Sequence, residues 1–168
     1  MVLALAAALL MVACSPAGTP FRTLVAPSRT APSPSPSIRP ATEAEIKATG
    51  RAFAKALSTY NRAVDAANNR RGDDNSFDVV TDFYAELAKA EQAFRKALDR
   101  IEFPEELATK AKILKDAVAD ARERDLRAAH ARDYGDLVNL SIQAKTAERH
   151  AGDAAAVLRE LLDLPPPN

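Results

Sequence analysis

The chain has 168 residues and carries 23 lysines and arginines against 23 aspartates and glutamates, for a formal net charge of zero. That length suits one domain with accessory segments, and the balanced charge excludes the strongly basic surface of a nucleic-acid binder. One cysteine and two methionines leave no disulfide framework and no thiolate metal cluster.

The charges are unevenly placed. All 23 acidic residues lie at or after Glu43, whereas Arg22, Arg29 and Arg39 precede it, so the later segment is acidic by three charges. Met1 to Ala13 are all apolar. As a helix they reach only about 20 Å, short of a bilayer core near 30 Å, and the length matches the hydrophobic region of a signal peptide. No Lys or Arg stands ahead of that run.

The run ends in Met11-Val12-Ala13-Cys14. This stretch resembles the lipobox of bacterial lipoproteins, with Val12 and Ala13 fitting the pattern and Met11 in place of the usual leucine. The resemblance implies that the Cys14 thiol accepts a diacylglyceryl group and that cleavage makes Cys14 the first residue of the mature protein. It further implies a lipid-anchored protein on the extracytoplasmic side of the cell membrane. At about 0.8 kcal/mol per buried methylene, two or three acyl chains hold where one is marginal. Both methionines and the only thiol are then absent from the domain.

Ser15 to Ala41 is dominated by proline, serine and threonine. The composition predicts a disordered tether biased to polyproline II, about 80 Å long when extended. From Thr42 the pattern changes. Thr42-Glu43-Ala44-Glu45 has the form of a capping box. Ile46, Gly50, Phe53, Leu57, Tyr60, Val64 and Ala67 follow at helical spacing on one face. The stretch from Asn68 to Ser76, with Gly72, predicts a turn.

A second helix is expected from near Ser76, with a stripe of Val80, Phe83, Leu87, Ala90, Phe94, Ala97 and Ile101. Pro104 ends it and suits the first turn of a third. That helix is expected to reach Arg132 with a stripe of Leu107, Ala111, Leu114, Val118 and Ala121. A break is expected at Asp133-Tyr134-Gly135-Asp136. The fourth helix carries Leu137, Leu140, Ala144, Ala147, Ala151, Ala154, Leu158 and Leu161. Its small central residues predict close approach by a neighbour, because Phe53, Phe83 and Phe94 need space to pack. Four segments of similar length with short loops imply an all-α, antiparallel, up-down four-helix bundle over residues 42–164, with a short tail at 165–168.

Neither His130 nor His150 has a glutamate three residues earlier, so the di-iron ligand pattern is missing. P-loop, dinucleotide, His-Glu-x-x-His and Gly-x-Ser-x-Gly motifs are absent as well. The expectation is therefore no catalytic residue, no cofactor and no metal ligand. One pole of the bundle should gather Asn68, Asn69, Asp73, Asp74, Asp78, His130, Asp133 and Asp136, which read better as helix caps than as a weak Ca²⁺ site. Tyr60 and Tyr134 are expected to bury their rings and leave their hydroxyls wet. His150 is expected at the edge of the core. Two functional expectations follow: a non-catalytic helical interaction module, or a bundle that binds a small ligand or a metal. A groove lined by the small residues of helix four favours the second. Mass spectrometry of the native protein should find diacylglyceryl-modified Cys14 as the first residue; an unmodified terminus elsewhere removes the anchor.

Overall fold

A computed structural model of the protein describes residues 39–165. The expected signal segment, Cys14, the tether up to residue 38 and the tail beyond 165 lie outside the described residues. Four helices make up the fold: α1 (Glu43–Arg71), α2 (Phe77–Asp99), α3 (Glu105–Ala129) and α4 (Tyr134–Leu161). No strand occurs among the described residues.

Local chemistry sets most of the ends. At the start of α1 the Thr42 hydroxyl accepts from the Glu45 backbone N–H at 3.2 Å, and the Glu45 carboxylate accepts from the Thr42 N–H at 2.7 Å. This is the reciprocal capping box that the sequence predicts. Gly72 closes α1 at φ 54°, where glycine carries no steric penalty, and its N–H donates to the Asn68 carbonyl. Pro104 caps α3, and Glu105 and Glu106 lie in the first turn where the helix dipole favours negative charge.

One boundary differs from expectation. The break between α3 and α4 falls at residues 130–133, and Tyr134, Gly135 and Asp136 belong to the first turn of α4. Asp133 explains the shift. Its side chain accepts from the Asp136 N–H at 2.8 Å, so the helix starts directly after it. Gly135 is a helical residue and not the breaker.

The helices pack in chain order, α1 on α2, α2 on α3 and α3 on α4. Contacts across the seams show that neighbours run antiparallel. The Thr49 hydroxyl near the start of α1 donates to the Glu102 carbonyl beyond the end of α2. Lys115 of α3 pairs with Asp99 at the end of α2 at 3.1 Å, and Arg124 of α3 donates to Gln143 of α4 at 3.0 Å. The architecture is an all-α four-helix bundle. The turn after α4 meets α1 at Gly50, where an added Cβ would lie 3.5 Å from the Leu162 carbonyl and from the Leu164 side chain.

The apolar interior is in two parts. One core centres on Phe53, Leu98, Leu114 and Leu158, towards the Gly50 end. The other holds Ala67, Tyr84, Leu87, Ala128, Leu137 and Ala144, towards the opposite end. The α3 stripe is buried as expected. On α2 the buried face is rotated by about one residue, so that Tyr84, Glu91 and Leu98 point inward and Phe83 lies at the edge under the Arg71 guanidinium, 5.2 Å from its ring centre. Because Leu114 is fully buried, Leu114→Ala should cost about 2–5 kcal/mol in urea unfolding. Ile113→Ala, at a position half exposed, should change stability by less than about 0.5 kcal/mol.

Candidate functional site

Between the two cores lies a layer of carboxyl groups. Along α2, Glu91 separates Leu87 from Phe94. Along α3, Asp125 separates Ala121 from Ala128. Along α4, Glu148 stands between Ala147 and Ala151. Glu91 is 2% exposed and Asp125 is fully buried. Glu148 is partly buried. Asp125 is the middle member, within hydrogen-bonding reach of both Glu91 and Glu148. Two carboxylates share a hydrogen bond only when one carries a proton. Without protons, Glu91 Oε2 and both Asp125 oxygens have no donor.

Burial and the neighbouring acids act together on this layer. Loss of water is the larger cause for Glu91, followed by the charge of Asp125 and Glu148, and its carboxyl is pushed up to about 10. Arg122 opposes that shift. Burial and the Glu148 charge push Asp125 up to about 8. Burial also raises Glu148, against the pull of Lys145. The Tyr60 hydroxyl is raised by burial and by the same three acids, which puts α1 beside the layer as the fourth wall.

A groove opens over this layer between α1 and α4, with a volume of about 640 Å³. Leu57 and Tyr60 form the α1 side, Phe94 and Val118 the floor, and Ala151, Gly152, Ala155 and Ala156 the α4 side. Glu91 and Glu148 reach it as its acidic end, and Asn61, Arg159, Glu160 and Asp163 complete its lining. The groove has the usual composition of a small-molecule site, an apolar cleft with a few convergent polar groups. The close approach expected at the small residues of α4 is made by α3, which buries Ala144 and Ala147, and the groove opens further along, at Ala151, Gly152 and Ala155. Of the aromatic residues expected to need that space, Phe53 and Phe94 share a core with Ala155, Ala151 and Ala154, with Phe94 stacked on Tyr60 at 5.0 Å and Phe53 edge-on to Phe103 at 6.5 Å, while Phe83 packs against Tyr84.

The polar pole is spent largely on local structure. Asp74 accepts from the Ser76 N–H, Asp133 caps α4 and Asp136 pairs with Arg132. His130 Nδ1 lies 2.7 Å from the Leu126 carbonyl. The Tyr134 ring packs edge-on against Phe77, and its hydroxyl donates to the Asn75 carbonyl. His150, expected at the core edge, is exposed. Among the described residues no group of three or more His, Cys, Asp or Glu side chains is placed to hold a metal ion. No helix among them is long and apolar enough to cross a membrane.

Glu91 and Asp125 are the residues that the motif reading passes over. A signal was present. The α3 stripe of Leu107, Ala111, Leu114, Val118 and Ala121, continued by four and then three, lands on Asp125 and Ala128. An acid at a core position of a helical stripe is rare and marks a site.

The layer sets an unusual pH dependence. Unfolded, Glu91 and Asp125 lose their protons near pH 4; folded, they keep them to higher pH. Between those limits the folded state binds more protons, so stability is greatest at the acid side and falls as pH rises. Thermal unfolding should gain about 2 kcal/mol or more in stability from pH 8 down to pH 5. The Glu91→Gln, Asp125→Asn variant should flatten that slope. Below about pH 4 the trend reverses, because Glu45, held down to about 2 by its capping hydrogen bonds and Arg39, and the lowered Asp74 and Asp136 then lose their partners. Compared with protein-family models, with curated proteins and with solved structures, the chain has no match.

Proposed function

We propose that the bundle is a non-catalytic binding module for a small, largely apolar molecule, held on the extracytoplasmic face of a membrane by lipid on Cys14. The observation that carries the binding reading is the groove between α1 and α4, about 640 Å³ and lined mainly by apolar side chains. Its size falls within the range of small-molecule pockets. The anchoring part rests on the lipobox resemblance at Met11 to Cys14.

A second reading, a docking face for an envelope protein, is favoured by a separate feature. Tyr134, Val138 and Ile142 are more than half exposed and follow one another at four-residue spacing along α4. Single exposed apolar residues need no explanation, but an aligned series does.

The neutral dye N-phenyl-1-naphthylamine tests the groove. Its fluorescence should rise and saturate at one site per chain. Ala156→Trp introduces a bulky ring at an exposed position on the groove wall and should weaken dye binding at least tenfold. It should leave the helical circular dichroism unchanged. Ile142→Glu, on the outer face, should leave dye binding as it was. Non-saturable binding, or full binding to Ala156→Trp, removes the groove reading.

A further inference from the structure

The groove is apolar along its walls and carries two kinds of acid, the exposed Glu160 and Asp163 and the buried or partly buried Glu91 and Glu148, and the second kind points to a ligand. Glu91 lines the groove while being 2% exposed, and its Oε2 has no hydrogen-bond donor. Asp125, fully buried behind it, has two oxygens in the same condition. While ionised, each of these atoms is an acceptor, satisfied either by a proton shared within the layer or by a donor brought from outside it. Leaving such atoms buried and unpaired is unfavourable, most of all when they are charged.

The charged groups that face the layer are few. From α1 there is the Tyr60 hydroxyl, and from α2 Glu91 itself and the buried Tyr84, whose hydroxyl is raised by burial and by the charges of Glu148 and Asp125. α3 contributes Asp125 and Arg122, and α4 contributes Glu148 and Lys145. Arg122 and Lys145 reduce the negative potential without supplying a hydrogen bond to the orphaned oxygens; Arg122 Nε is itself buried without a partner. The arrangement is unsuited to a bare metal ion, because the acids do not converge as a ligand set. An alkylammonium group fits better. It carries one charge and three N–H donors on a compact head, and its carbon stem is compatible with an apolar wall.

We propose that the groove binds an amphipathic primary amine, with its ammonium group set inward between Glu91 and Glu148 and its apolar body along Leu57, Phe94, Ala151 and Ala155. This inference rests on the groove reading and adds the chemical class of the ligand. Asp125 is the second line of the site. It lies within hydrogen-bonding reach of both acids, which it can use only while a proton is shared between them. Without a cation the three carboxyl groups share protons, since three ionised acids in a buried cluster repel one another. An arriving ammonium takes over that neutralising role, and a carboxyl proton leaves to the buffer. The balance is one cation bound and up to one proton released, with no covalent bond made beyond the proton transfer.

The test compares 4-phenylbutylamine, 4-phenylbutanol and 4-phenylbutyrate by calorimetric titration of the full-length protein at pH 7. The amine should bind at least tenfold more tightly than the alcohol, and the carboxylate more weakly than either. Its apparent enthalpy should change between Tris and phosphate buffers in the sense of proton release. Glu148→Gln, at the partly buried position, should erase the preference for the amine while keeping binding of the neutral dye. Glu91→Gln should do the same, and melting curves and circular dichroism confirm that each variant is folded. Equal binding of amine and alcohol overturns the amine inference and leaves the groove reading in place. Preference for the carboxylate, or an amine preference that survives both glutamine variants, also overturns it. Dye binding without binding of any of the three probes overturns it as well. Absence of dye binding removes the groove reading itself, and the amine inference with it.

Discussion

A buried carboxyl layer crosses the bundle at mid-height, and the rest of the interior is arranged around it. Three helices each contribute one acid to the same level, and two of those acids are almost wholly removed from water. The layer divides the apolar residues into two cores. It also limits how the helices slide along one another. A shift of one turn on α3 would set Asp125 against Leu87 or Phe94 and strand it among hydrocarbon. Buried polar groups weaken a core relative to apolar ones, and their best-attested benefit is to fix register. Here Glu91 and Glu148 of the same layer also line the groove, so one layer bears on both the register and the polar lining of the groove.

The hydrophobic stripe explains why a bundle forms, and the layer explains why it is not closely filled. Alanine is abundant on the inner face of α4, and small side chains normally draw helices together. Near Gly50 this happens, with the α4 end brought to within van der Waals distance of the α1 backbone. Further along, Tyr60 is engaged with Phe94 and the Glu148 level is occupied by acids. Neither can cross to fill the space beside Ala151 and Ala155. The groove is therefore the product of two local commitments, an aromatic stack on one side and a hydrated or protonated acid cluster at the end.

Much of this fold was legible in the sequence, for physical reasons that differ by element. The start of α1 is written in Thr42 and Glu45, whose side chains act within one turn. The α3 stripe is regular because every inward residue from Leu107 to Ala121 is apolar. The start of α4 was misplaced because glycine attracts attention as a breaker, while the capping carboxylate of Asp133 decides the boundary. On α2 two registers compete: Val80, Phe83 and Ala90 describe one face, and Tyr84, Leu87 and Leu98 another. Glu91 lies on the second face, and a pattern built from hydrophobicity alone rejects it. The candidate site was hidden for the same reason. Its polar residues come from three helices far apart in sequence, with no shared motif, and only packing brings them to one level.

The turn that follows α4 bears on the width of the groove. Asp163 adopts φ 50°, the Leu164 N–H reaches back to the Arg159 carbonyl, and Leu164 is turned onto Gly50. This short return acts as a clasp on the only seam that the chain-order packing leaves loose. The spread of the groove then follows residues 162–164, of which Asp163 and Leu164 line it, and the smallness of residue 50. Substitutions there can widen or narrow the site while leaving its acidic end intact. The width of the groove and its buried acids are in this way carried by separate parts of the sequence, and each can drift without disturbing the other.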